Sequence, residues 1–475
     1  MATDWVRRKF LAMAAFGAAP GIQRMPGQAL ARPDVFSVTK FGAAGDGVRL
    51  DTRGIQATID ACARSGGGTV YFPPGRFVSG TIYLRSNITL YFDPGAVLLG
   101  SSELSHYPVS VPAFRSYTDN YTDKSLIYGE KLERISVKGS GVIDGQGGSF
   151  EGPYKLRPYL FRLVECRDVS IQDVTLKDSA MWGLHLLACD GADVRGISIH
   201  SRVNKNNDGI DVDCCQRVRI SDCEISSGDD AIVLKSTADR PCRNITISNC
   251  VLSSACNAIK MGTESNGGFQ NITISNCSIY DTRLSGIALE IVDGGILDQV
   301  IVSGITIQKV GAPIFIRLGN RARPFRQGDP QAGIGTLRRV LITGVLATGA
   351  SRIGCALAGL PNHPIEGLTL DNLRLTFEGG GTREDAGREI PEYPNKYPEH
   401  SMFGVLPAYG FYCRHVKDLC LSNIALELEA PDERPALVFD NVENLRVFEA
   451  RFSRLARSEQ PVVLHHVSDA RLANH

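Results

Sequence analysis

Five aspartates crowd two short stretches, NNDGIDVD at 206–213 and SGDDAIVLKS at 227–236. Asp208, Asp211, Asp213, Asp229 and Asp230 surround the apolar positions Ile210, Val212, Ile232 and Leu234. An aspartate before glycine can simply end a turn, but Asp229 and Asp230 are consecutive. Crowded carboxylates repel, raise one another's pKa and let one stay protonated near neutral pH. A protonated acid beside ionised ones is the equipment of glycoside hydrolysis, in which one carboxyl protonates the leaving oxygen while others activate water. The same cluster could hold calcium for a lyase, because hard cations take several carboxylate oxygens.

The elements that carry these residues repeat. Cys223, Cys250 and Cys277 recur in the phrases VRISDCEI, ITISNCVL and ITISNCSI, with looser copies such as VSIQDVTL, VIVSGITI and LTLDNLRL. A period in the twenties signals a stacked architecture. The units alternate β-branched and polar residues and carry no helical stripe, so the expected fold is all-β: a single-domain parallel β-helix over 32–475. A helix near Thr52 to Ala63 is expected to cap its open end. Asp222, Asn249 and Asn276 should stack at one turn, with the cysteines beside them as buried apolar filler rather than disulfides or metal ligands.

A second strand of each coil reads GLHLL, GIDVD, AIVLK, AIKMG, GIALE and PIFIR. Its apolar second and fourth positions point inward and the alternates outward. His185, Asp211, Asp213, Lys235, Lys260, Glu290 and Arg317 therefore share one outer face, with Trp182, Asp208, Asp230, Asn257 and Ser285 just ahead of the strands. Coils lie about 4.8 Å apart, which brings Asp208 within reach of Asp230. Glu264 is a further carboxylate near this file or a turn residue. The insertion 388–415, rich in Tyr, Pro and Phe, suits sugar stacking or loop packing, and Arg321 and Arg323 suit contact with an acidic sugar or solvation of a loop.

A chain of 475 residues with 43% apolar content can bury a large core. Lys plus Arg equals Asp plus Glu at 51 each, so no net field draws it to nucleic acid or to a membrane surface. Arg7 and Arg8 before an apolar, alanine-rich run ending at Ala29-Leu30-Ala31 predict a cleaved twin-arginine signal over 1–31, hence export to the periplasm or beyond and a soluble, monomeric mature protein.

The motifs Asn206-Asn207-Asp208-Gly209-Ile210-Asp211 and Gly228-Asp229-Asp230, with Lys235 following and the upstream Met181 to His185 segment, resemble glycoside hydrolase family 28, the polygalacturonase and rhamnogalacturonan hydrolase group. The resemblance spans roughly 35–450. It implies a right-handed β-helix and an inverting, metal-free hydrolase that needs no cofactor. Asp229 would be the general acid, and Asp208 and Asp230 would hold and deprotonate the water. His185, Asp211, Lys235, Asn257, Lys260, Glu290 and Arg317 are assigned to substrate binding. Two departures stand out: Cys256-Asn257-Ala258 replaces the family's Gly-His-Gly, and Ala288, Leu289 and Glu290 replace its Arg-Ile-Lys. The lost cations bind a galacturonate carboxylate in the family, which points to a rhamnogalacturonan-like acidic polysaccharide rather than plain polygalacturonate. A calcium-dependent lyase or epimerase and a non-catalytic polysaccharide-binding β-helix are the alternatives.

Overall fold

The computed structural model describes residues 34–324 and 328–473. The signal segment expected at 1–31 lies outside the described residues. Three parallel strands make each coil in the middle of the stack. Tyr159–Val164, Arg167–Gln172 and Thr175–Lys177 are followed by Leu184–Leu187, Asp190–Arg195 and Ser198–Ser201, then by Ile210–Asp213, Gln216–Ser221 and Glu224–Ser227. Each strand pairs in parallel with the strand three places on, so the chain winds into a parallel β-helix. The strand amides and carbonyls bond to those of the coils above and below.

The turn ladder explains how coils of nearly constant length stay in register. Asp222, Asn249 and Asn276 adopt left-handed backbone angles of φ 58, 57 and 55°, a conformation that Asn and Asp tolerate better than other side chains. The Asn249 amide donates to Asp222 Oδ1 at 3.2 Å. Cys223, Cys250 and Cys277 next to them are buried, and each thiol donates to the carbonyl two residues earlier, those of Ser221, Ser248 and Ser275. All thirteen cysteines are free thiols.

The cap is a helix, Thr52–Arg64, that buries Ile55, Ile59 and Cys62 against the first coil. Gly54 permits this close fit, since a Cβ there would lie 2.6 Å from the Ala43 nitrogen. Asp51, just before the helix, accepts from the Ala44 and Gly45 amides at 2.7 and 2.9 Å, tying the cap to the chain that precedes it. Among the described residues no helix is long and apolar enough to cross a membrane.

Candidate active site

The outer file read from the sequence is a set of true cross-coil neighbours. His185 pairs with Asp211 and Leu187 with Asp213, Asp213 pairs with Lys235, and Lys260 pairs with Ala288. Ahead of the strands, the amides of Gly209 and Ala231 bond to the carbonyls of Asp230 and Asn257, so Asp208, Asp230 and Asn257 form a second file. One irregularity matters. Leu234 pairs with Met261 but Ser236 pairs with Ser265, so two extra residues bulge and Glu264 falls opposite Lys235. The bulge makes Glu264 part of the site rather than of a turn.

Two lysines sit among the acids. Lys235 Nζ lies 3.5 Å from Asp208, 3.7 Å from Asp211 and 3.8 Å from Glu264, and 4.5 Å from the centroid of the Trp182 ring. Lys260 Nζ lies 3.2 Å from Asp230 and 3.8 Å from Glu290. Burial opposes both ammonium charges, but the surrounding carboxylates outweigh it and hold both lysines above their ordinary pKa. Asp208 is pushed up by burial and then by Asp229. Asp229 is raised by burial and then by Asp230, so it is the half-buried acid with reason to keep its proton. Asp230 is fixed differently: the backbone and side-chain amides of Asn257 donate to its Oδ1 at 3.2 and 2.8 Å. Asn257 thus orients an aspartate. Glu264 is held low, since Lys235, Arg323 and Arg321 outweigh its burial.

Walls rise on three sides. Upstream, Arg162 donates to the Thr122 carbonyl at 2.9 Å and the Thr118 hydroxyl at 3.0 Å. This pins a segment whose Tyr121 hydroxyl donates to Glu264 at 3.2 Å and whose ring lies against Trp182 and Tyr154. At the C-terminal ends of the face strands, Arg323 donates to Glu264 at 2.5 Å and its guanidinium covers the Tyr117 ring, while Arg321 pairs with Asp293. Downstream, Ile390, Met402, Phe403 and Leu406 pack over Ala288, Phe315 and Ala356, so the 388–415 insertion covers the face. Its Tyr397 hydroxyl accepts from Thr263 at 3.1 Å and from Lys260 at 3.4 Å, and Tyr397 is 49% exposed.

Three residues expected to bind substrate need correction. Arg317 is 1% exposed, and its guanidinium donates to the carbonyls of Gly359 at 3.0 Å and Glu392 at 2.7 Å; it anchors the downstream wall. His185 is fully buried between Trp182 and Tyr159 and bonds to Asp213 at 3.3 Å, with burial lowering its pKa to about 4. Asp211 is also without exposed surface, beneath Lys235. Both support the floor from below. Asn257, Lys235, Lys260 and Glu290 remain with the pocket cluster, at 1–6% exposure. The fourth side is open. Asp229 and Cys256 are half-buried there, beside exposed Arg202, Lys205 and Arg283. The hydroxyls of Ser227 and Ser254 both donate to the Asp229 carbonyl at 2.6 Å, which fixes the backbone of the acid at the mouth.

Glu290 gives a pH prediction. Burial raises its pKa to about 7, with Lys260 pulling the other way, against an ordinary value of 4.5. Between those two values the folded chain binds a proton that the unfolded chain does not, so stability falls as pH rises through that window. Urea midpoints at pH 5 and pH 7.5 should show a smaller fall for Glu290→Gln than for the parent.

Residues 99–392 match the model of the family described as Glycosyl hydrolases family 28. A probable polygalacturonase of Vitis vinifera is 36% identical over 217 residues, 42% of this chain and 44% of its own length. The exo-poly-alpha-D-galacturonosidase of Dickeya chrysanthemi is 27% identical over 254 residues, 42% of each chain. The chain thus spans less than half the length of these curated relatives. The hyperthermoactive exopolygalacturonase of Thermotoga maritima superposes with a TM-score of 0.67 at 20% identity, covering 83% of this chain and 93% of that one, which carries the fold: a right-handed parallel β-helix.

Proposed function

The chain belongs to glycosyl hydrolases family 28, and from that premise we propose that it hydrolyses a pectin-type polysaccharide by acid and base catalysis with Asp208, Asp229 and Asp230. The observation that carries the reading is the contrast within the cluster. Asp229 stands at the open mouth, pushed toward its protonated form, while Asp230 is held by Asn257 and Lys260. Asp229 gives its proton to the glycosidic oxygen, Asp208 and Asp230 hold the water that attacks the opposite face of the sugar, and Asp230, held by Asn257 and Lys260, takes the proton of that water. The carboxylate oxygens of Asp229 and Asp230 lie within 4.8 Å, tighter than the roughly 6.5–9.5 Å usual for inverting pairs. Inversion is therefore read from the family, and the anomer first released, followed by NMR, checks it.

We infer a backbone of rhamnogalacturonan type. Where the family has Arg and Lys this chain has Ala288, buried under the downstream wall, and Glu290, paired with Lys260. The pocket cations Lys235, Lys260, Arg321 and Arg323 are all matched by carboxylates. A neutral sugar fits next to such a site better than a second uronate does. The lysines also bear on the calcium alternative, since each ammonium already occupies the space between acids that a hard cation would take. Rhamnogalacturonan should yield new reducing ends with no ultraviolet absorbance of unsaturated uronate and no response to calcium, and more slowly or not at all from polygalacturonate. Calcium-dependent absorbance would assign the protein to the lyases.

A further inference from the structure

The unwalled side of the pocket opens onto a groove of about 830 Å³ that follows the turn edge of the β-helix. Arg202, Ser254, Ala255 and Arg283 line its near end, and Lys309, Glu378 and Glu429 lie further along. It begins at the general acid: Ser254 holds the Asp229 carbonyl, and Cys256, one residue beyond Ala255, has its sulfur within 4.8 Å of the Asp229 and Asp230 oxygens. From the coil of Ser254 to that of Glu429 it crosses five coil spacings, on the order of 24 Å.

Its charges differ from those of the pocket. Arg202 donates to the hydroxyls of Ser226 at 2.9 Å and Ser253 at 2.6 Å. Arg283 donates to the Ala255 carbonyl at 2.6 Å and the Cys256 sulfur at 3.4 Å. Neither guanidinium meets a carboxylate among the described residues, although every pocket cation does. Further along, Lys309 is matched by Asp281 at 3.6 Å, and Glu378 and Glu429 are acidic, so the uncompensated positive charge is confined to the end next to Asp229.

We propose that this groove is a binding site for the leaving-group side of an acidic polysaccharide, with Arg202 and Arg283 receiving uronate carboxylates beyond the neutral sugar next to the scissile bond. The proposal rests on the reading of Asp229 as the acid, because the leaving oxygen and the chain attached to it lie on the acid's side. The other three sides are walled, so the remainder of the polymer leaves the pocket here. Guanidinium forks suit planar carboxylates, and the attraction at this exposed edge is screened by salt.

The test is binding to Asp229→Asn protein, which needs no turnover, using acidic pectic oligosaccharides and their carboxyl-reduced counterparts in a calorimeter. Adding Arg202→Gln and Arg283→Gln should weaken the acidic ligand about tenfold or more and leave the reduced one unchanged. Undiminished binding of the acidic ligand, or an equal loss for both, overturns the groove. If the added substitutions prevent folding, a salt titration of the Asp229→Asn protein decides instead: affinity for the acidic ligand must fall with salt, and a flat response overturns the proposal. Binding lost in the arginine variant, from a parent that cleaves no pectic polymer, would overturn the hydrolase reading and leave the groove standing.

Discussion

Asp229→Asn abolishes release of reducing ends, by about three orders of magnitude or more given what a positioned proton donor contributes, and leaves the fold as stable as before or more so. The asymmetry follows from the site. Asparagine keeps an oxygen for the Asp230 amide, which donates to Asp229 Oδ1 at 2.9 Å, and the Ser227 and Ser254 bonds reach only the backbone. What is lost is the proton, and at pH values where Asp229 is ionised the variant also lacks the negative charge that raises Asp208. The measurement pairs initial rates with a urea denaturation curve. A variant that keeps a tenth of the parent rate would remove Asp229 from the acid role. In the parent, activity should fall as pH rises and Asp229 loses its proton, since its raised pKa sets the alkaline limb.

Lys235→Met should have the largest effect on stability, about 3–5 kcal/mol, as expected when one member of a buried ion network is removed. Methionine fills much of the volume and can still pack on Trp182, but Asp208, Asp211 and Glu264 lose the charge they share. Loss of the ammonium raises the folded pKa of Asp208 and Asp211 further above the unfolded value, whereas Glu264, still paired with Arg321 and Arg323, is lifted only part of the way from its low position. The deficit is therefore greatest above pH 7 and shrinks as pH falls and the carboxyls take up protons. Urea denaturation at pH 5 and pH 8 checks both size and sign. A deficit that is the same at the two pH values would mean that Lys235 acts through packing alone.

Much of this site was legible because a strand has a side-chain period of two and a β-helix has a constant coil spacing. Those two facts place Asp208 beside Asp230 from sequence alone. They say nothing about depth. Outward from a strand means toward solvent only if no loop lies on top, and here the loops at 116–122 and 388–415 cover the face on both sides. Arg317, His185 and Asp211 lie on that outward face and are nonetheless buried supports rather than substrate contacts. Glu264 was ambiguous for another reason: a two-residue bulge breaks the period that would have put it in the file. Tyr121, Tyr397 and the arginine pair of the groove carry no motif. Only the density of tyrosines in the insertion hinted at one of them.

The buried arginines wire the walls to the floor. Arg162 grows from one coil and grips the upstream segment by the Thr122 carbonyl and the Thr118 hydroxyl. Arg157 does the same for the turn at Asn206, and Arg317 for residues 392 and 393 of the insertion. A loop held this way is not an interchangeable part. Transplanting the 388–415 segment onto a relative's scaffold would also require the distant strand that supplies its guanidinium, so the recombinable unit is loop plus coil. Libraries that swap loops at their sequence boundaries would mostly separate the anchor from what it holds, whereas crossovers that keep 317 and 388–415 from one parent would preserve the wall.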